Sequence, residues 1–183
     1  MACDLSRAVQ RYWADLKVGD LMETETRAGG SRVTSTAEVV SEKGTLVLRV
    51  TERTEDEARP KAALSNGSTF VMVPPGAGPA KLIETRWTFD GDRPTKPRTE
   101  EVELAAGANR LPGLPAYCVE GPATGSEELK TAAGVLACKT YGVQESKLWV
   151  SPEVPFGGLV KTTSEGGGEK LESIVTKARK GAR

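Results

Sequence analysis

The side chains that most often carry enzyme chemistry are scarce in this sequence. Histidine is absent, and with it the group that most often shuttles protons near neutral pH and ligates transition metals. Tyr117, Tyr141, Lys139 and Lys161 remain as candidate acids or bases. Each falls on a predicted strand, where a cross-strand or solvent role suffices. The sequence therefore predicts no catalytic residue, no metal site and no cofactor, and we expect a protein that is not an enzyme.

The cysteines allow a different chemistry. Cys118 and Cys138 both fall on predicted strands and can meet as neighbours across a sheet. A disulfide between them would fit an oxidising compartment, whereas two free buried thiols would behave as small apolar side chains. Both interpretations stay open at this point.

The overall charge argues against nucleic acid as a partner, and the short apolar stretches argue against a membrane-spanning helix. Lys plus Arg equals Asp plus Glu at 25 each, so there is no excess positive field to attract nucleic acid. The basic C-terminal cluster (Lys177, Arg179, Lys180 and Arg183) is interpreted as a solvated tail over residues 179–183. The longest apolar stretches are far shorter than the roughly 20 residues that span a bilayer.

One helix precedes the strands. From Leu5 to Leu16 the apolar side chains recur every three or four residues, which predicts an amphipathic helix over residues 4–17. Asp4 is a suitable N-cap, and Gly19 can close the far end. We expect the apolar face of this helix to cover a sheet.

Beyond Gly19 the period of the pattern changes to two, which indicates antiparallel strands over residues 20–178. Residues 54–66 have no period and are predicted to be an exposed connection, and a helix is the alternative for residues 170–178. The expected fold is mainly β (α+β). It is a curved antiparallel sheet or half-barrel of about ten strands with one N-terminal amphipathic helix, in a single domain over residues 1–183. A closed barrel stays open as an alternative.

Four aromatic residues are the candidates for binding an apolar ligand. They are Phe70, Trp87, Phe89 and Trp149. The alternation along residues 82–89 places Trp87 and Phe89 on one side of a strand, and we expect that side to face inward. The same side chains would also serve simply as core.

Two segments carry a family resemblance, namely residues 131–138 (TAAGVLAC) and 148–161 (LWVSPEVPFGGLVK). They resemble bacterial envelope proteins with lipoprotein-carrier-like (LolA/LppX-like) half-barrels over residues 131–161. The resemblance implies a curved sheet wrapped on a helix in a periplasmic or lipid-anchored protein. Some members of that group carry acyl chains in the concavity.

The Ala2-Cys3 pair resembles the junction at which bacterial lipoproteins are cleaved and acylated, so Cys3 is a lipidation candidate. That interpretation requires an upstream leader. With one it predicts a periplasmic or membrane-anchored protein, and with Met1 as the true start it predicts a cytoplasmic one.

Two functions are compatible with these patterns. The first is a non-enzymatic envelope module that binds a lipid or another apolar ligand in the concave face of the sheet. The second is a structural or assembly protein that binds protein partners through sheet edges and loops.

Overall fold

The computed structural model describes residues 5–28, 30–56, 59–73, 81–90, 93–104, 121–143, 145–166 and 169–181. Within these ranges one helix is followed by twelve strands and one short 3-10 turn. The elements are α1 (Leu5–Asp15), β1 (Leu21–Ala28), β2 (Ser31–Glu42), β3 (Thr45–Asp56), β4 (Arg59–Met72), β5 (Lys81–Asp90), β6 (Arg93–Pro94), β7 (Arg98–Glu103), β8 (Gly125–Thr131), β9 (Gly134–Val143), β10 (Ser146–Val150), the 3-10 turn (Phe156–Gly158), β11 (Leu159–Gly166) and β12 (Glu169–Arg179).

All twelve strands belong to one open antiparallel sheet, which confirms the expected fold class. The strand order is β6-β5-β4-β3-β2-β1-β12-β11-β10-β9-β8, and β7 pairs with β5. The sheet thus consists of two meanders, β1–β5 and β8–β12, which meet where β1 pairs with β12. Thr24 lies opposite Val175 at this seam.

Within residues 54–66 the described residues 54–56 and 59–66 are strand rather than connection, so that prediction was wrong. Thr54 pairs with Ala63, and Asp56 pairs with Arg59, so β3 and β4 stay paired over these residues. Backbone hydrogen bonds hold these strand segments together. The sequence shows no apolar alternation there from which the strands could be predicted. The strand interpretation of residues 170–178 is confirmed by β12. Asp4 and the predicted strand at residues 117–120 lie outside the described residues.

The helix packs on the sheet as expected. Val9, Trp13 and Leu16 are buried in the same apolar cluster as Val39 and Phe70. This spacing of three and four residues exposes the opposite side of α1 to solvent. Within the described residues no helix has the length and apolar character needed to cross a membrane.

The charged side chain of Glu84 lies within this interior. Glu84 is 1% exposed, and it accepts hydrogen bonds from Ser68 and from both Nε and Nη2 of Arg86, at 3.2, 3.1 and 2.8 Å. The hydrogen bonds that Arg86 donates to Glu84 raise the pKa of the Arg86 guanidinium. The buried carboxylate is thus both paired and hydrogen-bonded, while its partner Arg86 reaches solvent.

Candidate ligand-binding cleft

The four aromatic candidates do not form one site. Phe70 is completely buried on β4, and Trp149 is 7% exposed on β10. Five strands lie between β4 and β10 in the sheet: β3, β2, β1, β12 and β11. Phe70 and Trp149 thus lie on distant strands, and both belong to the buried apolar cluster of the interior.

Trp87 and Phe89 lie on the opposite face of the sheet from Phe70, so the expectation that they point inward was wrong. Phe70 pairs with Glu84, and residues at even positions of β5 face the same side as Glu84. The Trp87 ring covers Gly67, where an added Cβ would lie 2.5 Å from a ring atom. Trp87 thus fills space that a glycine leaves on this side of the sheet.

Trp149 is held by charged neighbours. Its Nε1 donates a hydrogen bond to Oε1 of Glu127 at 2.6 Å, and Nζ of Lys147 lies 4.5 Å from the ring centroid. Nζ of Lys161 lies 5.4 Å from that centroid. The hydrogen bonds from Trp149 and Lys147 hold the pKa of Glu127 below its usual range. This cluster connects β8, β10 and β11 and leaves the indole with a structural role.

Cys138 is buried and forms no disulfide with another described residue, and its Sγ donates to the carbonyl oxygen of Leu136 at 3.4 Å. Burial raises the pKa of the Cys138 thiol. Cys118 and Cys3 lie outside the described residues, so the bridge between Cys118 and Cys138 and the lipidation of Cys3 stay predictions.

A cleft of about 680 Å³ opens at the end of the helix. Its walls are the last residues of α1 and the turn that follows them, part of β9, Lys180 and the loop that joins β10 to β11. Apolar side chains and one phenol form much of its surface: Leu16, Val150, Val154, Phe156 and Tyr141.

The loop between β10 and β11 has an unusual backbone. Phe156, Gly157 and Gly158 have φ values of 59, 83 and 82°, a left-handed conformation that is costly for a bulky side chain. The backbone N–H of Ser151 donates to the carbonyl oxygen of Gly158 at 2.8 Å and closes the loop. The packing of Phe156, which is only 2% exposed, offsets this strain, and Phe156 is one of the residues that line the cleft.

Asp20 fixes the other wall. This carboxylate is 4% exposed and accepts hydrogen bonds from the backbone N–H groups of Lys17 at 2.8 Å and Gly181 at 2.7 Å. It therefore ties the end of α1 to the end of β12. The sequence interpretation missed Asp20, although an aspartate after Lys-Val-Gly is a recognisable turn signal.

Residues 179–181 are docked rather than a free basic tail, which corrects the sequence prediction. Arg179 donates from Nε to the carbonyl oxygen of Gly19 at 3.1 Å, and Lys180 donates from Nζ to that of Pro152. Only 2.3 Å would separate a Cβ on Gly181 from the carbonyl oxygen of Val18. The side chains of Arg179 and Lys180 nevertheless stay exposed.

More cationic than anionic side chains line the cleft. Lys17, Lys139 and Lys180 stand against Asp15 and Asp20. Both Asp20 oxygens already accept backbone hydrogen bonds. Among the described residues, no group of three or more His, Cys, Asp or Glu side chains is placed to hold a metal ion.

Comparison with known proteins adds no assignment: the chain matches no family model, and a search of curated proteins finds no similar sequence.

Proposed function

We propose that this protein is a non-enzymatic envelope module that binds a lipid or another amphipathic ligand in the cleft at the end of α1. The observation that carries the proposal is the combination of apolar and cationic side chains around one cleft. Phe156, Val154 and Leu16 are among its apolar lining residues, and Lys139 and Lys17 are among its cationic ones.

The size of the cleft supports the same function. Small-molecule sites commonly enclose roughly 300–1,000 Å³ and combine apolar walls with a few polar groups. At about 680 Å³ the cleft lies within that range. The aromatic residues Phe70 and Trp149 fill the interior instead. We therefore propose the ligand site at the junction of helix, loop and tail, and no longer on the sheet face predicted from the sequence.

The proposed location in the envelope is supported by the resemblance of residues 131–161 to lipoprotein-carrier-like half-barrels. The loop that lines the cleft, residues 151–158, lies within that segment. Lipidation of Cys3 would anchor the protein to a membrane in this proposal. Metabolic labelling with an alkyne fatty acid, comparing the protein with Cys3→Ser, tests the anchor separately from the cleft.

Native mass spectrometry of the purified protein, followed by solvent extraction, tests the binding function. We expect a bound amphiphile that is released by organic solvent and largely lost in Ala14→Trp, because Ala14 is an exposed wall residue of the cleft. Val18→Trp is the matched control, since Val18 is 54% exposed and does not line the cleft. Repeated preparations without lipid, together with no binding of anilinonaphthalene sulfonate, would contradict the proposal.

A second candidate is assembly through the sheet edges. In its favour, β7 and β8 are almost entirely exposed and carry several charged residues, which restrict edge pairing to complementary partners. Sedimentation analysis over a wide concentration range tests this function for copies of the same chain, and a monomer throughout contradicts it.

A further inference from the structure

A second hollow adjoins the cleft. It is a shallow, largely apolar groove of about 480 Å³ between residues 126–128 of β8, Ala137 and Cys138 of β9, and Pro152. Lys139 and Pro152 line both the groove and the cleft. The two hollows therefore meet at this pair of residues, and one elongated molecule can occupy both.

The charge at the meeting point is positive. Lys139 is exposed and belongs to none of the ion pairs formed within the described part of the chain. Lys17 and Lys180 lie on the same cleft. Two acidic residues line the groove. Glu127 is already bound by Trp149 and Lys147, and Glu128 is exposed on β8. An anion beside Lys139 would thus meet a cation that is not already paired.

We infer that the ligand is a single-chain amphiphile with an anionic head, such as a long-chain carboxylate or a monoalkyl phosphate. The head lies in the cleft beside Lys139 and Lys17, and the chain passes between Lys139 and Pro152 into the groove. This inference rests on the proposed binding function and adds the chemical class and the orientation of the ligand.

Calorimetric titrations with four probes test it, each below its critical micelle concentration: dodecyl phosphate, hexyl phosphate, dodecanol and inorganic phosphate. We expect dodecyl phosphate to bind roughly tenfold more tightly than dodecanol, because a charge-assisted contact is lost in the alcohol. Burying the longer chain should favour dodecyl over hexyl phosphate by at least about twofold per methylene. Laurate should behave like dodecyl phosphate.

The variant Lys139→Gln should remove most of the preference for dodecyl phosphate over dodecanol. The control Lys96→Gln should keep it, because Lys96 is an exposed lysine in the link between β6 and β7. Thermal unfolding of both variants verifies that they are folded, as expected for exchanges at exposed positions.

The outcomes separate this inference from the proposed function. Equal affinity for dodecanol and dodecyl phosphate would overturn the anionic head while leaving lipid binding in place. Equal affinity for inorganic and dodecyl phosphate would overturn the chain position. Binding of none of the probes, with no co-purified lipid, would overturn the proposed function itself.

Discussion

The two meanders of the sheet use their residues differently. In β1–β5 the strands are mostly long, and side chains such as Leu48 and Phe70 pack without exposure. In β8–β12 an eight-residue loop with three consecutive left-handed residues interrupts the hairpins, and the cleft lies beside it. The stability of the first meander should therefore depend mainly on the volume of its buried side chains. The stability of the second should depend more on the backbone conformation of its loop.

Removing volume from the first meander should have the largest effect on stability. Phe70→Ala leaves a cavity at a fully buried position, and we expect the free energy of unfolding to fall by about 3–5 kcal/mol. Phe89→Ala, on the half-buried opposite face, should cost about 1 kcal/mol. Urea denaturation measures both, and a loss below about 1 kcal/mol for Phe70→Ala would mean that the region is not packed as described.

The second meander should instead be sensitive to single glycines. Gly158→Ala forces a Cβ to within 2.4 Å of the carbonyl oxygen of Ser151 at a φ of +82°, and we expect a loss of about 2–3 kcal/mol together with weaker ligand binding. Gly157→Ala is the control, because its φ is +83° but nothing lies within 4 Å of the added Cβ. It should cost about 1 kcal/mol. Equal losses in the two variants would contradict the close approach of the loop backbone.

The first meander also contains a close glycine, but here a side chain opposes it. Gly67→Ala places a Cβ 2.5 Å from the Trp87 ring, and because the half-buried indole can move, the cost should be about 1–2 kcal/mol. The double variant Gly67→Ala/Trp87→Ala should destabilise by less than the sum of the single variants. Strict additivity would show that the ring does not cover Gly67.

The mildest change tests the charged support of Trp149. Because the folded state lowers the pKa of Glu127, its contribution to stability is present above the unfolded pKa and disappears as the pH falls through the folded pKa. Glu127→Gln should therefore lower the melting temperature at neutral pH, and the two proteins should converge as the pH falls through the folded pKa of Glu127. The control Glu128→Gln, at an exposed neighbouring position, should leave the melting temperature nearly unchanged across the same pH range.

Alternation and helical spacing were sufficient to predict the helix, most strands and the open antiparallel sheet. They could not decide which side of β5 faces inward, because Leu82 and Glu84 alternate with Ile83 and Trp87 and either side contains apolar residues. Gly67, on the neighbouring strand, leaves room for the Trp87 ring, which explains why Trp87 lies on the side opposite Phe70. The strand segments within residues 54–66 were missed because backbone pairing forms them without an apolar alternation in the sequence.

The cleft was beyond prediction for a different reason. Asp20 and Gly181 are 161 residues apart in the chain, and neither belongs to a motif that announces the contact. Lys139 was identified only as a candidate acid or base, since nothing in the sequence indicates that Pro152 lies beside it. Local patterns describe elements, whereas this site exists only where four distant segments meet.

The pairing of β1 with β12 has a consequence for biosynthesis. Glu23 and Thr176, which are hydrogen-bonded across this seam, are 153 residues apart, so β1 gains its second neighbour only after β12 has emerged from the ribosome. Until then the nascent chain presents an unpaired edge in the middle of its future sheet. Such long-range closure slows folding, and newly made protein should depend on chaperones that shield this edge.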